Sequence, residues 1–364
     1  MIVERFGEST PWSLGVEEEL MILDAETLEQ VPSVDQLVRR TEAGRLKTEL
    51  FASVVESNTR TCETAAEAAA CLEELRAEAA RTAAEHGLAI AAAGTHPLTV
   101  PEEQEIAAKA RYREFVDYAG SAARRQGVNG LHVHVGMPSA EACLDVLEAV
   151  LPWLPVVLAL SANSPYLAGR ETDMLSVRAE VLTVLPRSGA PPAFGSYAGW
   201  QRFVDRMRAS GIPLARDYTS YWWDIRPHPR FGTLEIRMPD QPTAVELSGA
   251  FVALLQALCK TAAERPPGAP AERGDYQQNR WAAARFGPQA LLVQPNGRSA
   301  VPASELAREL LGLVAPAAEQ LGSAELLRPL EPERCEAERQ LDVGRADGLA
   351  AVTADVVGRT LRSA

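Results

Sequence analysis

Three short segments each place two polar or ionisable side chains two residues apart among apolar neighbours. They are Glu17 and Glu19 in SLGVEEELMIL, His132 and His134 in LHVHV, and Glu235 and Arg237 in GTLEIRM. A period of two puts both members of a pair on one face of a strand and the apolar neighbours on the other. One such pair describes a solvated sheet face. Three pairs whose types fit together point further, because carboxylate and imidazole ligate cations and a guanidinium clamps phosphate or carboxylate. If the three strands are neighbours, their polar faces merge into one patch. The alternation alone does not dictate that adjacency. Zinc prefers tetrahedral histidine and cysteine sites, and no cysteine lies in these segments, whereas a carboxylate-rich set suits magnesium or manganese.

The charge balance sharpens the question. Lys and Arg number 36 against 49 Asp and Glu, a formal net charge of −13. Such a chain repels nucleic acid and anionic lipid, so neither is expected as a partner. Anionic substrates would need metal ions or a local arginine cluster. No GxxxxGK[ST], GxGxxG or GxSxG signature is present, so nucleotide use cannot be read from a phosphate loop, nor acyl transfer from a nucleophile elbow. The five cysteines, Cys62, Cys71, Cys143, Cys259 and Cys335, are odd in number and contain no CxxC pair. They read as buried thiols of a cytoplasmic protein rather than a disulfide framework or zinc site. The N-terminal stretch lacks the pattern of a secretory signal. The longest apolar run, around Val146 to Ala162, is interrupted by Glu148, Pro152 and Pro155, and is not expected to span a bilayer.

The elements that must position these residues follow from periodicity and punctuation. Strands are expected over 13–23, 48–58, 88–93, 131–135 and 232–238. Helices are expected over 64–86, 103–126, 140–163 with interruptions at Pro152 and Pro155, 243–263, 303–321 and 346–362. The Pro- and Gly-rich stretch 185–200 reads as a long loop, and 264–278 as a linker or exposed loop. Pro295-Asn296-Gly297 between two apolar runs signals a hairpin. Glu18, on the apolar face of its strand, reads as a structural ion-pair partner. Trp222 and Trp223 are adjacent, so at least one is expected in the core.

At these residues the chain resembles the carboxylate–amine ligase family, the type 2 glutamate–cysteine ligases of the glutamine synthetase-like superfamily. The resemblance lies in GVEEEL (15–20), ELFASVVESNT (49–59), AAGTHP (92–97), VNGLHVHVG (128–136), LALSANSPY (158–166) and SYWWDIRPHPRFGTLEIRMPDQPT (220–243). It implies an α+β fold, a curved antiparallel sheet forming a half barrel with helices on its outer face and the site on the concave face. It implies one catalytic domain over 1–364, with the recognisable motifs in 1–263 and mostly helical support in 264–364. It also implies roles. Glu17, Glu19, Glu56, His132 and Glu235 match metal ligands, and Glu56 matches a group that holds metal or a substrate ammonium. Arg237 matches the cation that steadies the transferring phosphoryl group. His134, Arg170, Arg178 and Arg226 are candidates for substrate or phosphate binding.

The implied reaction consumes ATP with Mg2+, or Mn2+, to activate a carboxylate such as glutamate as an acyl phosphate, which an amine such as cysteine then attacks. Two other readings use the same ligands: a metal-dependent hydrolase, and a phosphotransferase resembling the guanidino kinases. A homo-oligomer is compatible with the sequence, which shows no apolar stripe that demands one.

Overall fold

In the computed structural model, residues 3–42, 44–266, 268–295, 297 and 299–361 are described. The strands, in chain order, are β1 (Leu14–Asp24), β2 (Leu46–Thr48), β3 (Val54–Asn58), β4 (Leu88–Ala91), β5 (Leu131–Gly136), β6 (Tyr166–Leu167), β7 (Arg170–Glu171), β8 (Ile225–His228), β9 (Thr233–Ile236), β10 (Leu291–Val293) and β11 (Ala300–Pro302). The main sheet runs β2-β3-β1-β5-β9-β8, with β4 also pairing β1, and every pairing in it is antiparallel. β6–β7 and β10–β11 are separate hairpins. The mixed α+β class with an antiparallel sheet is therefore the observed one.

β1 lies at the centre because it pairs with β3, β4 and β5, and both of its faces are used. Leu14, Val16, Leu20 and Ile22 are buried on one face, while Glu17 and Glu19 are part-exposed on the other. The apolar face packs on the helices Ala65–Ala84, Ala140–Val150 and Val245–Ala263, sharing a core with Leu72, Leu144 and Leu254. Each fully buried leucine contributes roughly 1.5–3 kcal/mol to holding this face down. The first of these helices is capped by Thr64, whose side chain accepts from Glu67 N, and Gly87 beyond its end takes φ +68°. Glu18 shares the apolar face, and its carboxylate pairs with Arg76 of that helix at 2.7 Å, both side chains being buried.

At the far end of β1 the other face is covered too. Met21 and Leu23 pack with Ala91, Ala93, Tyr166, Val352 and Val356, so the C-terminal helix Leu349–Thr360 closes the sheet beyond the polar patch. Ala140–Ser161 and Val245–Ala263 are long and apolar enough to cross a membrane by composition, and both are mostly buried inside the protein. The first is continuous but tightens to a 3-10 turn at Leu151–Trp153, where Pro152 lies.

Several expectations change. Residues 48–58 are not one strand: β2 ends at Thr48 and β3 begins at Val54, the chain turning between them. Helix over 103–126 is confined to Ala110–Ala119 and Ser121–Arg124, divided at Gly120, which takes φ +58°, while 104–109 is not helical. The loop expected over 185–200 gives way at Tyr197 to a helix, Tyr197–Ala209, and the linker expected over 264–278 gives way at Arg273 to another, Arg273–Phe286. The last helix is preceded by Glu336–Asp347, with Gly348 at φ +85° between them. The hairpin β10–β11 forms as expected; Asn296 and Arg298 lie outside the described residues, as does Pro267 after the helix Val245–Ala263. All five cysteines are buried and unpaired.

Candidate active site

The strand register assembles the patch. Glu17 sits opposite His132 on one side and Asn58 on the other. Glu19 sits opposite Glu56, which in turn faces Lys47. His134 faces Gly15 and Glu235, and Glu235 faces Arg226. Directly opposed side chains in antiparallel strands have Cβ atoms about 4.5–5.5 Å apart, so register alone makes these groups neighbours. β1, β5 and β9 are adjacent, and the three polar pairs form one surface.

At its centre one ligand atom from each of Glu17, His134 and Glu235 lies within 4.8 Å of the others. His134 Nε2 stands 3.8 Å from Glu17 Oε1, and its Nδ1 is fixed by Thr233 Oγ1 at 2.9 Å. A partner on the second ring nitrogen is how a ligating histidine is held in one tautomer. His132, the histidine matched to the metal, places Nδ1 3.3 Å from Glu17 Oε2 and 3.4 Å from Arg237 Nη1. The histidine in the compact cluster is therefore His134.

The charges are distributed unevenly. Burial opposes ionisation of Glu17, but its hydrogen bond with His132 and the neighbouring imidazoles hold it well below the usual carboxylate range. Burial likewise fails against Arg226 and Arg237, which keep Glu235 ionised. Burial and the charge of Arg237 lower His132, leaving it neutral with a lone pair to offer. Around Glu19 the balance reverses. Burial and Glu19 raise Glu49 to about 7, and burial, Glu17 and Glu49 raise Glu56 well above its ordinary value. The nearest lysine, Lys47, is 3.7 Å from Glu56. These carboxylates repel one another with too little protein cation to cancel them, as at a site built for a metal ion. Oxygen-rich donors with one or two imidazoles fit magnesium or manganese.

Two cavities meet at this centre. The first, about 490 Å³, is lined by Arg5, Ser9, Gly15, Thr59, Arg230 and Phe231 among others. Phe231 is 53% exposed and stacks on His228, with ring centroids 4.2 Å apart. The second, about 560 Å³, contains Glu19, Glu49, Glu56, His132, Arg111 and Arg237. Glu17 and Lys47 line both.

The remaining candidates fare differently. Arg226 is buried, chelates Glu235 through Nε and Nη2 at 2.6 and 3.0 Å, and donates to the carbonyls of Thr219 and Tyr221. Arg178 is buried beside Asp240 and donates to the carbonyls of Arg237 and Met238, so it braces the strand end that carries Arg237. Arg170 is exposed on β7 and lines neither cavity. Glu49, Lys47, Arg111 and Phe231 were not singled out from sequence. Glu49 lies in the turn between β2 and β3, where no two-residue pattern applies, and Arg111 is one of several exposed charged residues, with Arg113, Glu114 and Asp117, on its helix.

The sheet and the helices around it adopt a fold shared with solved ligase structures. A solved Francisella tularensis glutamate–cysteine ligase in complex with AMP superposes with a TM-score of 0.74 at 14% identity, over 97% of this chain and 89% of that one. A bifunctional glutathione synthetase from Pasteurella multocida gives 0.72 at 14% identity, over 96% of this chain and 52% of that one. The sequence narrows the assignment: the chain belongs to glutamate–cysteine ligase family 2, whose family model matches residues 13–343. A Rubrobacter xylanophilus protein provisionally named glutamate–cysteine ligase 2-3 is 40% identical over 336 residues, covering 91% of each chain. A Roseiflexus castenholzii protein provisionally named glutamate–cysteine ligase 2 is 35% identical over 362 residues, covering 96% of this chain and 95% of that one.

Proposed function

We propose that this protein is an ATP-dependent carboxylate–amine ligase that forms ADP, with glutamate as a carboxylate substrate and cysteine among the amines it accepts. The observation that carries the reading is the position of the Glu17, His134 and Glu235 cluster, with Arg237 bonded to it, where two cavities meet. Phosphoryl transfer between a nucleotide and a carboxylate requires that junction.

The first cavity suits the nucleotide. Phe231 offers an exposed aromatic face to a base, Arg5 and Arg230 offer charge to phosphates, and Ser9, Thr59 and Thr61 offer hydroxyls. The second suits the carboxylate substrate, with Arg111 for an anion and Glu49 and Glu56 for an ammonium or a metal. Glu17, Glu19, Glu56, His132, His134 and Glu235 would hold magnesium or manganese, which supplies positive charge to phosphate oxygens. Glu49 is a further candidate ligand.

In the first step a carboxylate oxygen attacks the γ-phosphorus, the bond to the bridging oxygen breaks, and ADP leaves with the electron pair. Arg237 places a fixed cation where charge develops. In the second step the amine nitrogen bonds the acyl carbon, the carbon–oxygen bond to phosphate breaks, and phosphate departs with that pair. The nitrogen gives up its protons to water or phosphate. No side-chain nucleophile is needed.

The test is ADP formation from magnesium-ATP with glutamate, with and without a panel of amines, and mass detection of the amide. Amine-dependent ADP with a matching amide supports the ligase. ATP-independent hydrolysis, or ADP formed with no amide product, would replace it with the hydrolase or the phosphotransferase.

A further inference from the structure

We propose that the preferred acceptor is a primary amine with an apolar or aromatic body and no carboxylate, rather than an amino acid. The proposal rests on the ligase reading and names the substrate class of its second cavity.

The cations of that cavity are nearly all committed. Arg226 and Arg237 are bonded to Glu235, and Arg178 lies beside Asp240 with both terminal nitrogens donating to backbone carbonyls and its Nε buried without a partner among the described residues. Arg216 pairs with Glu114 at 2.9 Å, and Lys47 bonds Asn58 and approaches Glu56. Among the described residues, Arg111 is the one lining cation with no carboxylate at ion-pair distance; its guanidinium bonds the Tyr112 hydroxyl. Joining two amino acids through a side-chain carboxylate leaves two α-carboxylates to anchor. One available guanidinium anchors one of them, and the carboxylate substrate must be held whichever amine is used.

One wall of the cavity is apolar. Phe115 and Trp222 stack with centroids 5.1 Å apart and an interplanar angle of 27°, and Leu182, Leu185 and Leu214 line the same cavity. These side chains come from the helix Ala110–Ala119, the end of the helix Val177–Leu182 and the segment after it, and the chain between the helix Tyr197–Ala209 and β8. Both rings of the stack are only half buried, so they have surface left to cover a ligand. The carboxyl groups of Glu49 and Asp217 on the same cavity, neither in an ion pair at close range among the described residues, favour a cationic amine over a zwitterion. A cavity of about 560 Å³ is in the range that encloses a ligand larger than cysteine.

The decisive comparison uses phenethylamine against phenylalanine, which differ only by the carboxylate, with methylamine and cysteine as references. Binding to the magnesium-loaded protein is measured by calorimetry, and turnover by ADP release with glutamate. Phenethylamine should bind roughly ten- to a hundredfold tighter than methylamine, the gain expected from burying a phenyl ring. It should also exceed phenylalanine and cysteine in kcat/KM. Trp222→Ala and, independently, Phe115→Ala should each raise the KM for phenethylamine several-fold more than the KM for methylamine. Both variants are checked by thermal unfolding, so one that misfolds leaves the other to decide. Equal binding of phenethylamine and phenylalanine, tighter binding of cysteine, or insensitivity of folded variants overturns the proposal. Trp222-dependent binding of phenethylamine with no ADP from any amine would instead keep the amine pocket and remove the ligase reading.

Discussion

Glu235 Oε1 accepts a hydrogen bond from Arg237 Nη1 at 2.6 Å, the two residues standing two apart on one strand and its extension. The bond aims the guanidinium across the patch toward His132. Arg237→Ala should fold and bind ATP yet lose about 100- to 1000-fold in kcat, the usual loss when one stabilising donor is removed from a transition state. Arg237→Lys should recover only part of it, because a point charge does not reproduce the planar fork. Steady-state ADP release checks this; turnover within a few-fold of the parent would place the phosphoryl group elsewhere.

Glu49 and Glu56 give the metal-free protein a pH dependence whose sign is fixed by their raised values. A carboxyl raised in the folded state holds its proton where the unfolded chain has lost it. The associated stability is fully present below the unfolded value of 4.5 and is lost for Glu49 as pH rises through about 7. The metal-free protein should therefore unfold several degrees lower at pH 8 than at pH 5.5. Millimolar magnesium or manganese should restore more at pH 8, where protons do not compete. Thermal unfolding at the two pH values, with metal and with chelator, tests it. A metal-independent midpoint at pH 8 would argue against a cation at these carboxylates.

Buried Glu18 ties β1 to the helix Ala65–Ala84 through Arg76, which also donates to the carbonyls of Pro242, Thr243 and Thr360. Glu18→Gln leaves that guanidinium buried without its counter-charge and should cost about 3–5 kcal/mol. Replacing both residues by Met should cost less than the single change. Denaturant unfolding of the single and double variants separates charge loss from packing.

Gly130 occupies a gap that no side chain can share. A Cβ there would stand 2.1 Å from Arg178 Nη2, while the Gly130 amide donates to Glu19 Oε2 at 2.6 Å. Gly130→Ala should displace Arg178 and, with it, the carbonyls of Arg237 and Met238 that it holds. The overpacking should cost about 1–3 kcal/mol, and kcat should fall more than substrate affinity. Denaturation and full kinetics on this variant check both parts. Unchanged kcat would mean that Arg178 does not position Arg237.

Much of the scaffold was legible because its signals are local. The alternation in 13–23, 131–135 and 232–238 is a backbone property, and it appears as β1, β5 and β9 with the expected faces. Glu18 as an ion-pair partner followed from its place on the apolar face, and Trp223 is the buried member of the tryptophan pair. Where reading failed, a single residue's backbone angle or a polar helix decided. Gly120 and Gly348 interrupt helical composition with positive φ, and Tyr197–Ala209 is a helix within a stretch that Pro and Gly had marked as loop.

The sequence by itself determined the residue types and their faces: paired carboxylates, imidazoles and a guanidinium on strands whose other sides are apolar. Only the tertiary structure decided which of them meet. Glu17, His134 and Glu235 are far apart in the chain, and what brings them within 4.8 Å is the burial of Val16, Val133 and Leu234 on the opposite side of the same sheet. Packing also fixed which arginines are spent on the protein itself and which remain for substrate. Arg226 fills its donors with Glu235 and two backbone carbonyls, and Arg178 bonds two more carbonyls while its Nε stays buried without a partner among the described residues; the cost of desolvating a guanidinium drives these pairings, and no spacing in the sequence reveals it.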